Sequence, residues 1–187
     1  MKKISLLLGI LIIAFSAMAQ DMEVNSSKSE LKWTGKKVTG EHWGYINLKD
    51  GSILIEDNKI VSGEFNIDMT TITCEDLEDA EWNGKLVGHL KSDDFFSVDK
   101  FNVATLKILK SSSFENGLTT VKGELTIKGI TKPVTYKAKK IENGYMATIT
   151  IDRTLYDVRY GSGKFFDNLG DNMISDNFVL DVKIMVQ

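Results

Sequence analysis

The chain has 187 residues, 42% of them hydrophobic, with 23 Lys and Arg set against 26 Asp and Glu. That suits one domain with a sizeable core, and a mildly acidic balance without a basic cluster argues against nucleic acid as a partner. Cys74 stands alone, so no internal disulfide braces the fold.

In chain order, Lys2 and Lys3 precede an apolar run from Leu6 to Phe15 and a small-x-small site at Ala17-Met18-Ala19. This reads as a cleavable leader over residues 1–19, too short and wrongly flanked for a lasting membrane span. The mature chain, 20–187, is therefore expected to be soluble and periplasmic or secreted. Without Lys2 and Lys3, 21 basic residues face 26 acidic ones, a net of −5. No cysteine follows the cleavage site to take a lipid anchor.

In Ser29 to Gly35, Leu31 and Trp33 alternate with Lys32 and Thr34, the mark of a half-buried strand. Gly40 to Leu48 is aromatic-rich and carries two glycines, which suggests a strand with a bend. Asp50-Gly51 reads as a hairpin turn from which Ser52 to Glu56 returns, and Asp57-Asn58 as a second turn. Val61, Gly63, Phe65, Ile67 and Met69 then alternate with polar residues. Thr73 to Asn83 is acidic but lacks calcium-loop spacing, and reads as a solvated connection. Cys74 within it reads as a small buried apolar side chain, because no histidine is near in sequence and Glu75 and Asp76 disfavour a thiolate.

Gly84 to Phe101 breaks the strand pattern. Leu86 and Leu90 lie at helical spacing, and Phe95-Phe96 follow an acidic break at Asp93-Asp94, which predicts a short helical insertion near residues 84–92. Strand character resumes at Phe101 to Lys110, and Asn116-Gly117 makes a turn. Val121, Gly123, Leu125 and Ile127 alternate regularly. Gly129 to Pro133 punctuates the chain. Val134 to Ala138, then Ala147 to Ile151 after the Asn143-Gly144 turn, and finally Phe178 to Val186 complete the set. About eight or more strands joined by tight turns, several of them long, predict an all-β fold, an extended antiparallel barrel rather than a sandwich.

Catalytic chemistry finds little support. His42 and His89 are far apart with no zinc-ligand spacing, so no metal site is expected; no GxSxG elbow is present, and Cys74 has no evident base. Tyr160 to Phe166, YGSGKFF, lacks a phosphate-loop ending and reads as a long loop whose Phe165 and Phe166 cover an apolar opening. Arg153 closes a strand, either as an ion-pair partner or as a cation near an anionic head group.

Trp33-Thr34-Gly35, His42-Trp43-Gly44, HLKSDDFFSV from His89 to Val98, VKGELTIKGITKPV from Val121 to Val134, and Ile151-Asp152-Arg153-Thr154 together resemble the YceI-like family over essentially the whole mature chain. The sequence departs from that pattern at Lys100-Phe101-Asn102, at Leu106 and in the long Tyr160 to Asp176 segment. The resemblance implies a lipocalin-like barrel, export to the periplasm, and an apolar interior holding a polyisoprenoid or related amphiphile.

A bound lipid chain gains about 0.8 kcal/mol per CH₂ removed from water, so the cavity itself needs no directional chemistry. Its expected lining is Trp33, Phe65, Ile67, Met69, Leu125, Ile127 and Ile149. Leu86, Leu90, Phe95, Phe96 and Phe165 are expected to line or close an end, with His42, His89 and Arg153 at the mouth. The expected ligand is a polyisoprenoid or fatty-acid-like lipid, with no other cofactor, no nucleic acid and no stable membrane span; homodimerisation is left open. An enzyme acting on such a lipid, or a solidly packed barrel serving as an interaction module, are the competing readings. A cavity of about 300 Å³ or more separates a ligand site from a packed barrel.

Overall fold

The computed structural model describes residues 19–187, so the expected leader lies outside them apart from Ala19. Ten strands form one curled antiparallel sheet: β1 (Gln20–Glu23), β2 (Glu30–Lys37), β3 (Gly40–Tyr45), β4 (Asn47–Glu56), β5 (Lys59–Asp68), β6 (Val103–Ser111), β7 (Leu118–Ile127), β8 (Ile130–Ile141), β9 (Gly144–Asp152) and β10 (Ile174–Met185). Their order is β1-β4-β5-β6-β7-β8-β9-β10-β2-β3. One α-helix, α1 (Ala80–Lys91), interrupts the strands among the described residues. No helix among them is long and apolar enough to cross a membrane.

The sheet curls until its margins touch. β3 pairs with β2 and β4 with β5, so the chain changes partner at Ile46, whose N–H donates to the Leu31 carbonyl at 3.1 Å. At the other end of the seam Val24 donates to Gly51 of β4, while Asn25 donates to Met185 of β10 and Gln187 to Glu23. These bonds satisfy edge groups that an open sheet would expose. The enclosed face carries the core, where Ile53, Ile60 and Val121 are almost wholly buried, each contributing about 1.5–3 kcal/mol.

Three sequence expectations change. Asp50 and Gly51 are not a turn: both lie inside β4, opposite Asn66 and Phe65, beside a register slip after Leu48. A Cβ on Gly51 would stand 2.9 Å from a Phe65 ring carbon and from the Glu64 carbonyl oxygen, so glycine is there for close approach. Pro133 does not end a segment either, since it pairs opposite Glu124 within β8. β9 meets β8 only over Ala138–Ile141, so proline's missing donor is not required on that side. The punctuation is Lys128-Gly129, both at positive φ, 51° and 72°.

Helix α1 starts four residues before the predicted Gly84. Asp79 caps it, its carboxylate accepting from the Glu81 and Trp82 N–H groups at 3.0 Å. The acidic stretch thus contains a helix N-cap.

Chain after the Met69–Thr71 turn runs along the free edge of β3. Thr73 N–H donates to Tyr45 and Glu75 N–H to Trp43. The approach is tightest at Gly44, where a Cβ would fall 2.1 Å from the Thr73 carbonyl oxygen. Gly44→Ala is expected to lower stability by about 2 kcal/mol or more, read as a lower urea midpoint. Gly35→Ala on the paired strand, where a Cβ meets only a Trp33 ring carbon at 3.9 Å, should change it far less.

Candidate functional site

Alternation places one face of each strand inside the curl, and the inward side chains do not fill it. Three voids lie in series. The innermost, about 70 Å³, has walls that include Leu31, Ile53, Phe65, Val121, Tyr136 and Ile149. The next, about 110 Å³, is lined by residues including Met69, Leu90, Phe96, Ala104, Ile127 and Phe178. The two share Ile67, Leu125, Ile151 and Leu180 as walls. The third, about 210 Å³, lies at the helix end of the barrel and shares Trp33, Gly35, Lys36, Leu90, Phe95 and Ile174 with the second. Lys37, His42, Leu86, His89 and Tyr160 complete its wall. The inner bore is almost wholly apolar, and polar side chains gather at the outer void.

α1 and the turns after it build that outer end. Ser92 N–H and Oγ both donate to the His89 carbonyl, and Ser97 turns the chain at φ 50°. This directs Phe95 and Phe96 inward. Aromatic edges then run from the mouth to the interior: Tyr160 to His89 with ring centres 4.4 Å apart, His89 to Phe95 at 5.6 Å, Phe95 to Phe96 at 5.0 Å and Phe96 to Phe178 at 6.3 Å. Such pairs contribute about 0.5–1.5 kcal/mol each beyond their burial.

The structure brings fourteen of the fifteen expected lining or mouth residues onto the three voids. Phe165 is elsewhere: it is exposed and stacks under the Arg159 guanidinium, 4.9 Å from its ring centre. Its neighbour Phe166 borders a separate outer hollow with Tyr160 and Lys37. Tyr160, Ile174 and Ala104 were not marked by sequence reasoning. Tyr160 and Ile174 flank a long loop whose return path no periodicity reports, and a lone alanine carries no signal of a cavity.

Arg153 borders the second void but does not stand at the mouth. It is 2% exposed, and its guanidinium donates to the carbonyls of Ser175, Val158 and Ile174 at 2.9, 2.8 and 3.1 Å. Phe95 covers it at 5.5 Å. Burial pulls its pKa below the ordinary arginine value, against the Asp176 and Asp152 carboxylates. The Asp176 Oδ1 atom, 4.0 Å from Nη2, is buried with no hydrogen bond among the described residues. The side chain therefore clamps the start of β10 to the turn after β9.

At the edge of the mouth His42 Nδ1 lies 2.7 Å from Asp76 Oδ2. An ionised carboxylate only accepts, so Nδ1 carries the proton. Asp76 Oδ1 accepts from Trp43 N–H at 2.7 Å and from the Cys74 thiol at 3.4 Å. Burial works against the Asp76 charge, but these three donors outweigh it and lower its pKa. Burial, foremost, raises that of the Cys74 thiol.

The sequence pattern of the YceI-like domain matches residues 22–186. A UPF0312 protein of Vibrio parahaemolyticus is 27% identical over 135 residues, covering 66% of this chain and 69% of its own. A UPF0312 protein of Ectopseudomonas mendocina is 28% identical over 144 residues, covering 75% and 72%. Among solved structures, Burkholderia cenocepacia BcnA superposes with a TM-score of 0.64 at 19% identity, over 88% of this chain and 99% of its own. A polyisoprenoid binding domain from Saccharophagus degradans, implicated in plant cell wall breakdown, gives 0.58 at 15% identity, over 89% and 97%. At these identities the two structures speak to the fold.

The loop between β9 and β10 is tethered by Lys164, which reaches Asp152 at 2.9 Å and Asp176 at 3.2 Å. Burial opposes the Asp152 charge, but hydrogen bonds from Thr154 and Lys164 outweigh it and lower its pKa; the same two acids raise that of Lys164. A lowered carboxylate gives stability that is present above its unfolded value, about 3.9, and lost as pH falls through the folded one. A raised lysine gives stability that is present below its unfolded value, about 10.4, and lost as pH rises through the folded one. Amide exchange over residues 159–173, corrected for intrinsic rates, is expected to stay slow between those limits and to quicken beyond either. Asp152→Asn should remove most of the acid-side change.

Proposed function

The chain belongs to the YceI-like family, and from that premise we propose that it is a binding protein, not an enzyme, which holds the chain of an isoprenoid-type or other long amphiphilic lipid for sequestration or transport. The observation that carries this reading is the run of three adjoining voids with an almost wholly apolar lining, the outermost of them bordered at the helix end by Lys36, Lys37, His42, His89 and Tyr160. An aliphatic chain in such a bore gains about 0.8 kcal/mol per buried CH₂ without directional contacts. A head group then rests among Lys36, Lys37, His42, His89 and Tyr160. The polyisoprenoid binding domain among the structural neighbours supports the same choice of ligand class, and the leader-like residues 1–19 support a site of action outside the cytoplasm.

The resting bore is narrow. Its inner voids of about 110 and 70 Å³ fall below the roughly 300–1,000 Å³ of small-molecule pockets, so a long chain must displace side chains as it enters. The sheet has slack in one place. β8 and β9 pair through only four register positions at one end, leaving Ile130–Lys137 without a β9 partner. Parting there costs few hydrogen bonds and lets the bore widen.

The small inner volume also favours the alternative of a packed barrel serving as an interaction module, and one experiment separates the two. Solvent extraction of the purified protein followed by mass spectrometry is expected to release an isoprenoid-type lipid. The stripped protein should then take up a fluorescent isoprenoid probe. Ala104→Phe, which plugs the middle void, is expected to cut probe uptake at least tenfold while the far-ultraviolet circular dichroism is retained. Absence of extracted lipid together with absence of uptake by the folded protein would establish the packed barrel.

A further inference from the structure

His42, Cys74 and Asp76 come from separate parts of the chain, yet one ligand atom of each lies within 4.8 Å of those of the other two. We propose that these three side chains form a binding site for a thiophilic divalent cation of the zinc type, with the Cys74 sulfur, a His42 ring nitrogen and an Asp76 carboxylate oxygen as ligands and a fourth position left for water or an outside ligand. Sulfur, imidazole and carboxylate are the donors that zinc takes, at about 2.3 Å for sulfur and 2.0–2.2 Å for nitrogen or oxygen. A tetrahedral ion at those lengths sets its ligand atoms roughly 3.3–3.8 Å apart. One donor atom of each of the three residues already lies within 4.8 Å of the others, and Nδ1 and Oδ2, at 2.7 Å, need only open by about an ångström to admit the ion between them.

Protons now hold the places the ion would take. On binding, the Cys74 thiol loses its proton to solvent and gives a thiolate. The Nδ1 proton of His42 leaves for Nε2 or solvent, freeing the Nδ1 lone pair, and Asp76 Oδ2 exchanges a hydrogen bond for a metal bond. One thiolate and one carboxylate balance the double positive charge. Asp76 Oδ1 keeps the Trp43 N–H, the kind of outer partner that orients a ligating carboxylate.

The frame is built without the ion. Glu75 N–H donates to the Trp43 carbonyl, and the Asn83 amide donates to the carbonyls of Cys74 and Leu77 at 2.8 and 3.0 Å. Little ordering remains to oppose binding. Cys74 is buried, but His42 and Asp76 keep 30% and 20% of their side-chain surface exposed, which gives an ion a path in. Because His42 also lines the outer void, the bound charge would sit beside the mouth, although the site stands independently of what the bore holds.

Cobalt(II) is the direct probe, and a single cysteine in the whole sequence makes its signal assignable. Titrating the reduced, stripped protein is expected to give one equivalent of bound Co²⁺, with a thiolate-to-cobalt charge-transfer band in the near ultraviolet and intense visible bands of tetrahedral form. Zn²⁺ should bleach both. Cys74→Ser should lose the charge-transfer band, and His42→Ala and Asp76→Asn should weaken binding by roughly tenfold or more. In wild-type protein Zn²⁺ should also slow alkylation of Cys74, a readout that needs no variant to fold. Folded wild-type protein that shows no charge-transfer band in excess Co²⁺ and no protection of its thiol by Zn²⁺ overturns the proposal.

Discussion

At Gly44 the backbone of β3 comes so close to the Thr73 carbonyl that no side chain fits between them, and much of the open end is hung from that approach. The same carbonyl accepts the Trp33 indole N–H at 2.9 Å, fixing a side chain that walls two of the three voids. The segment it belongs to covers the edge of β3, carries Cys74 and Asp76 to His42, and through Asn83 is tied to the first turns of α1. Edge coverage, the mouth of the bore and the position of the helix are thus consequences of one missing side chain. A sheet edge left bare there would be a pairing hazard; covered, it becomes one wall of the site.

The barrel solves two opposed requirements. A core packed to full density is most stable, whereas the lipid binding proposed here requires some packing to be given up to leave room for a chain. Here the loss is spread over small voids between inward Ile, Leu and Phe side chains, none large enough to collapse the wall. The Arg153 clamp offsets it at the helix end: a buried guanidinium on three backbone carbonyls holds the long loop to the barrel. Breaking such a buried charged group out of its partners costs about 3–5 kcal/mol, which keeps the mouth in shape whether or not a ligand is present.

Much of this was legible from residues alone, because alternation is a local property. Phe65, Ile67, Leu125, Ile127 and Ile149 could be assigned to the inside from period two, and the helical break from Leu86 and Leu90. What local pattern misreads is glycine and proline whose reason lies across the sheet. Gly51 looks like half of a turn but makes way for Phe65, and Pro133 looks like a stop but sits where β9 has peeled away. The acidic run from Thr73 to Asn83 misled in the same manner: one aspartate caps a helix and another receives a histidine 34 positions earlier in the chain. Arg153 could be read as surface pair or head-group contact, and only the fold of the following loop shows it buried on carbonyls.

The central claim is that the inner face of this sheet receives a lipid chain. Methyl NMR resolves it residue by residue. With isoleucine and leucine methyls labelled, the addition of a C20 isoprenoid alcohol to the stripped protein is predicted to shift Ile67, Leu125, Ile127, Ile151 and Leu180 while leaving the outward Leu109 and Leu118 in place. Shifts confined to outward residues, or none at saturating alcohol, would contradict it.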